Sequence, residues 1–194
     1  MKKIIALILA LACVFALVAC APASNDLAEY TAAVANTSPS VVVVSVTTND
    51  AQFGIELGAT YTITYNEDGT ASVKFVYDVL NSATMGDGVT TEKSGSATVA
   101  ADGTVTGDGV DTSVLAAAAL SLNLNAPIKS YIVARGILTA SIDKANTAAV
   151  LGVELPSDAS LELRMADTDG TKIGQATINY TNDRGTVRIV CQYD

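Results

Sequence analysis

The chain has no histidine and no tryptophan, and only 3 cysteines and 11 Lys+Arg among its 194 residues. Without histidine it lacks the commonest general base and the commonest metal ligand. Aromatic residues make up 5% of the chain, so the flat ring platforms that hold carbohydrate are scarce. Against few cations stand 20 Asp+Glu, for a net charge of −9. Nucleic acid needs a cationic face to replace the counterions of its phosphates, and this chain offers none. The length suits one domain with a real core and is too short for a multidomain enzyme.

What is present begins with an address. Residues 1–20 read MKKIIALILALACVFALVAC, with Lys2 and Lys3 ahead of an apolar run of 16 residues, 4–19. A spanning helix needs about 20 apolar residues. The shorter run behind two lysines reads as a secretory signal, residues 1–19, removed on export. Leu17-Val18-Ala19-Cys20 then resembles the lipobox of bacterial lipoproteins. That resemblance implies a diacylglycerol on the Cys20 thiol, with Cys20 as the first residue of the mature chain. Each buried methylene contributes about 0.8 kcal/mol and a single acyl chain binds only marginally. Two or three chains on one residue therefore hold a protein at a membrane without a basic patch. The implied location is the exported side of a cell membrane: the outer face of a plasma membrane, or the periplasm or outer membrane where there are two. Ala21 follows the cysteine, so the aspartate that retains some lipoproteins at an inner membrane is absent.

Processing changes the remaining chemistry. Loss of Lys2 and Lys3 leaves 9 basic against 20 acidic side chains, a net −11. Cys13 leaves with the signal and Cys20 is alkylated, so Cys191 is the one remaining thiol and an intrachain disulfide is excluded. Residues 20–40, rich in Ala, Ser, Thr, Asn and Pro, read as a lipidated tether ending at Pro39, although Leu27, Tyr30 and Val34 fall at helical spacing. Residues 41–194 read as a single mainly-β domain.

Within that domain the two-residue period of a strand dominates. The run 41–44 is apolar throughout, which predicts burial on both faces. Tyr61, Ile63 and Tyr65 alternate with threonines, Asn66-Glu67-Asp68-Gly69 signals a turn, and Val73, Phe75, Tyr77 and Val79 return. A second hairpin closes the chain, with Ala176, Ile178 and Tyr180 before a turn over 181–185, then Val187, Ile189, Cys191 and Tyr193. Both hairpins read Thr-Ile-x-Tyr, a turn, Gly-Thr and Tyr-Asp, a likeness that duplication or shared hairpin chemistry explains. Ile132, Ala134, Gly136, Leu138, Ala140 and Ile142 predict one strand, and Leu161, Leu163 and Met165 another. Residues 89–100 predict a polar strand at an edge or facing water. Residues 114–120 predict an Ala-rich helix capped by Thr112 or Ser113, with a further helical turn over 145–151. The expected fold is therefore mainly β: an antiparallel sheet, sandwich or half-barrel-like, of about eight strands with one or two short helices.

No catalytic constellation emerges. Cys191 shares the register of core residues and has no histidine to activate it, so it predicts a packed, unreactive thiol. Serine is plentiful but no GxSxG elbow occurs, and nothing pairs two of the carboxylates. Asp102, Asp108 and Asp111, with Asp167 and Asp169, begin like calcium loops but lack the third ligand position and the closing Glu, and read as Asp-Gly turns. Tyr61, Tyr65, Tyr77, Tyr180 and Tyr193 read as core packing. Arg135 reads as a mid-strand residue beside Tyr131, Val133 and Ile137, at a sheet rim or in a cavity.

The expected protein is a non-enzyme with no metal or cofactor. Its one assigned site is Cys20, and its partner through the acyl chains there is the membrane. The plan is similar, at the level of fold, to the half-barrel carriers that hold lipid in an apolar concavity. That likeness implies a carrier of a hydrophobic small ligand. The other reading is a structural or interaction protein that meets another envelope protein on its outer face.

Overall fold

The computed structural model describes residues 26–52, 54–80, 92–100, 104–107, 112–166 and 170–194. Its strands are β1 (Val41–Asp50), β2 (Ile55–Tyr65), β3 (Ala71–Leu80), β4 (Glu92–Val99) and β5 (Val105–Thr106), then β6 (Ser130–Ala134), β7 (Ile137–Ile142), β8 (Ala159–Met165), β9 (Ile173–Thr181) and β10 (Gly185–Tyr193). Among the described residues three helices accompany them: α1 (Asp26–Asn36), α2 (Thr112–Ala118) and α3 (Thr147–Leu151), the last following a 3-10 turn at Lys144–Asn146. All ten strands lie in one antiparallel sheet ordered β5-β4-β3-β2-β1-β10-β9-β8-β7-β6. Two meanders, one from each half of the chain, meet along β1 and β10, from Val42 opposite Tyr193 to Asp50 opposite Gly185.

Mainly antiparallel β is thus correct, but the sheet has ten strands where about eight are read. Part of the difference is the two-residue β5. The rest is a turn hidden in residues 132–142. Arg135 and Gly136 take φ of 54° and 73°, the left-handed pair that a two-residue hairpin requires, and Ala134 pairs with Ile137 across them. The even-numbered apolar residues run on through the turn in sequence but not in space. Leu138 and Ala140 point inward beside Val133 and Tyr131, whereas Ile132 lies opposite exposed Thr139 on the outer face. The expected mid-strand Arg135 is therefore an exposed turn residue, neither at a cavity nor against an apolar wall.

One face of the sheet is apolar and buried. Val42, Val44, Ile63, Val73, Leu138, Ile142, Leu161, Leu163 and Ile189 are each at most 1% exposed. Burial of the valine run on both faces does not occur: Val43 is 37% exposed on the outer face, while Val42 and Val44 are buried on the inner one. Along the outer face Ser45, Thr60, Lys74, Ser96, Thr139 and Glu162 are polar and accessible to water. A bulge between Arg164 and Met165 of β8 opposite β9 shifts the parity, so that Ile173 and Ala176 both reach the core.

The tether expected over 20–40 is corrected across most of its length. Residues 26–36 are helical, and Tyr30 and Ala33, at 2% and 1% exposure, are core residues. The apolar period beginning at Leu27 outweighs the polar composition once β8 and β9 offer a surface to bury it on. Thr37 then fastens the helix end: its hydroxyl donates to the Ala33 carbonyl at 2.7 Å and accepts the Ile173 N–H at 2.8 Å. Residues 20–25 lie outside the described residues.

Candidate functional site

β5 and β6 are opposite edges of the sheet, so the connection between them must return across its full width. Ten strands at about 4.8 Å spacing span roughly 43 Å. α2 lies on this connection and rests against the two central strands, β1 and β10. Its buried side chains, Val114, Ala117 and Ala118, are small, and it meets the inner face where Val42, Val44, Ile189 and Cys191 lie. One described hydrogen bond pins it to the sheet, from the Tyr193 hydroxyl to the Ala117 carbonyl at 2.8 Å. Two residues past the end of the helix, Leu120 is 6% exposed and has a φ of 50°, a left-handed conformation normally left to glycine. Burying the leucine side chain there compensates the strain, which is of order 1 kcal/mol.

Beneath and beside α2 lie the groups that sequence placed in the core. Cys191 is a free thiol, 1% exposed. Burial pushes its pKa up to about 12, opposed in part by a hydrogen bond with Tyr193. Burial, followed by the repulsion of a Cys191 thiolate, also lifts Tyr65 to about 12. Tyr193 is raised well above its usual value for the same two leading reasons. A thiol held neutral in this way is no nucleophile at physiological pH. In the unfolded chain these groups ionise from about pH 9 upward, whereas in the native protein Cys191 and Tyr65 stay protonated until about pH 12 and Tyr193 stays protonated well above its ordinary range. The native state thus binds more protons in that window, and stability falls as pH rises through it. We expect Cys191 to resist thiol reagents at pH 7.5 in the native protein, and unfolding to set in above pH 9. Rapid labelling of Cys191 in the folded chain, or a melting temperature level from pH 8 to 11, would contradict this.

The other tyrosines behave as packing groups. Tyr61, Phe75 and Tyr77 form a cluster with ring centroids 5.2–6.0 Å apart, and the Tyr61 and Tyr77 hydroxyls are 3.0 Å apart. Phe75 stands opposite Gly95 on β4, where a Cβ would collide with the end of the Phe75 ring. The ring fills the space that the glycine leaves on the neighbouring strand. Tyr180 is buried at 8% exposure. An open groove of about 440 Å³ is bounded by Thr62, Lys74, Val76 and Ser96 of the outer face together with Phe75 and Gly95.

The remaining sequence candidates are not brought together. Cys20 and the five aspartates Asp102, Asp108, Asp111, Asp167 and Asp169 lie outside the described residues. Among the described residues no helix is long and apolar enough to cross a membrane. Sequence reading also missed Thr147, which is fully buried, donates to the Lys144 carbonyl and accepts the Leu155 N–H at 3.0 Å. Its only signal was a threonine heading an apolar turn.

No protein-family profile matches the chain, and no curated protein sequence matches it. Among solved structures the chain is similar to LprF from Mycobacterium bovis, at 16% identity and a TM-score of 0.45, over 88% of this chain and 93% of that one. It is also similar to the dehydratase domain from the CurF module of the curacin polyketide synthase, at 12% identity and a TM-score of 0.22, over 84% of this chain and 80% of that one.

Proposed function

We propose that this protein is a non-catalytic carrier, anchored at the cell envelope through acyl chains on Cys20, that takes up an apolar ligand between α2 and the inner face of its sheet. The observation that carries this reading is the thinness of the cover. The centre of a broad apolar face is closed by a seven-residue helix, Thr112–Ala118, whose last three residues are alanines, held to β10 by the Tyr193–Ala117 bond. Lifting α2 would expose Val42, Val44 and Ile189 together, an apolar surface of the kind that lines small-molecule sites. The absence of histidine and the raised pKa of Cys191 support a binding role over a catalytic one.

Native mass spectrometry of protein extracted from its own membranes tests the ligand. Co-purifying lipid-sized masses, lost when α2 is cross-linked to β10, are expected; ligand-free protein would overturn the carrier reading. The anchor is tested separately. Cys20→Ala is expected to move the protein out of the lipid-modified membrane fraction or leave it unprocessed, and unchanged fractionation with an unmodified amino terminus would refute it.

A second reading is favoured by one observation, the polar outer face with its groove between Thr62, Lys74 and Ser96. In that reading the core stays closed and the outer face meets an envelope protein. Ligand-free protein that still co-purifies with a partner, and loses it on Lys74→Glu, would favour it.

A further inference from the structure

We propose that β6 is an assembly edge, on which a second copy of this chain pairs antiparallel about a two-fold axis through Ile132. Among the described residues β6 ends the sheet on its side and is paired with β7 alone. In a two-residue hairpin the pair flanking the turn is hydrogen-bonded, so Ala134 and Ile132 direct their backbone groups to β7. Tyr131 and Val133 therefore turn their N–H and C=O groups to the open side. An uncovered edge of this kind is a template for another strand, and most proteins blunt theirs with a charge or proline. The strand itself reads Ser-Tyr-Ile-Val-Ala, with neither. Ile132 is 66% exposed at its centre, well above the 37% of Val43.

Charge selects the occupant. At one end of β6, Lys129 is 2.7 Å from Asp143 and 3.9 Å from Asp158, a group carrying one net negative charge. Lys144 lends Asp158 its backbone N–H. At the other end Arg135 is exposed and, among the described residues, in no ion pair. A two-fold through Ile132 sets each Ile132 against its counterpart. It also sets Tyr131 against Val133 of the second copy, with their outward backbone groups exchanging hydrogen bonds. The same operation brings each Arg135 to the other copy's Lys129–Asp143–Asp158 group. The edge is thus self-complementary in shape, backbone and charge, as an isologous interface must be. The overall acidity of the chain opposes association only at range, where salt screens it within about 8 Å.

Because Ile132 would sit at a non-hydrogen-bonded pair, with Cα atoms about 4.5 Å apart, cysteines there can be oxidised directly to a disulfide. The test uses the full chain carrying Ile132→Cys, exposed to mild oxidant and analysed without reductant beside the unsubstituted chain. A product of twice the monomer mass is expected, at least tenfold above that background and above Thr139→Cys, which lies one strand further in. The double variant Ser130→Cys with Ala134→Cys should give the same product through the same axis. Arg135→Glu should reduce the yield at least fivefold, and adding Asp143→Lys should restore it. A folded Ile132→Cys chain that stays monomeric would overturn the proposal. So would equal cross-linking by Thr139→Cys, a product joining a different protein, or a yield indifferent to Arg135→Glu.

Discussion

Gly185→Ala should lower the melting temperature by roughly 6–12 °C, corresponding to a loss of about 3 kcal/mol for a domain of this size. Gly185 opens β10 and pairs with Asp50, the last residue of β1, at a φ of 155°. A methyl group there would be driven into the carbonyl of Asn49, which is backbone and has no rotamer by which to yield. The surroundings are tightly bound as well. Asn182 Oδ1 accepts the N–H groups of Arg184 and Gly185 at 3.0 Å each, and Ala51 donates to the Arg184 carbonyl at 3.0 Å. The site matters because β1–β10 is the strand pairing that joins the two meanders. Moving this corner forces either the turn or the end of that seam to open. Melting of the variant followed by circular dichroism checks it, and a midpoint within 2 °C of the parent (about the shift that 1 kcal/mol would give) would show that the turn relaxes freely.

Leu161→Ala should be as damaging, at about 3 kcal/mol, while Glu162→Ala, its neighbour in sequence, should stay within about 0.5 kcal/mol. Leu161 is fully buried between Ala140 and Ile178 on the inner face. Truncation there removes apolar burial and leaves a cavity that two rigid neighbouring strands cannot collapse to fill. Glu162 points the other way, exposed, between Thr139 and Thr177. Urea unfolding of both variants measures the contrast directly. Comparable losses would mean that the outer face is covered by something that this architecture does not provide.

The hairpins β2–β3 and β9–β10 were legible in sequence because one side of each strand is buried and the other wet, so alternation survives in the residues. Even their likeness has a structural counterpart: Ile63 opposes Val73 as Ile178 opposes Ile189, and Tyr65 opposes Ala71 as Tyr180 opposes Val187. Alternation misled where it ran through a turn. Residues 132–142 keep one parity while the chain reverses at Arg135-Gly136, and only the left-handed pair of φ angles reveals it. Arg-Gly was a weak turn signal beside so regular an apolar pattern. The valine run misled for another reason. Four apolar residues in a row suit a two-faced strand, yet Val43 is 37% exposed while Val42 and Val44 are buried on the opposite face. At the candidate site, the burial of Cys191 could be read from its register with Val187 and Ile189. Its coupling to Tyr65, and the bond from Tyr193 to Ala117, could not, since those residues arrive from distant parts of the chain.

By itself the sequence determined the acidic character, the scarcity of cysteine, the absence of histidine, the lipobox-like start and the antiparallel β class. Each of these follows from composition or from spacing within a single strand or hairpin. Tertiary structure decided that residues 26–36 form a packed helix, that two meanders share one sheet through β1 and β10, and that α2 closes its centre. It also decided that Ile132 faces water at an open edge. Such facts depend on which surfaces meet across more than a hundred residues of chain, as Val42 meets Tyr193. Local periodicity records that a face will be buried, but carries no information about what will bury it.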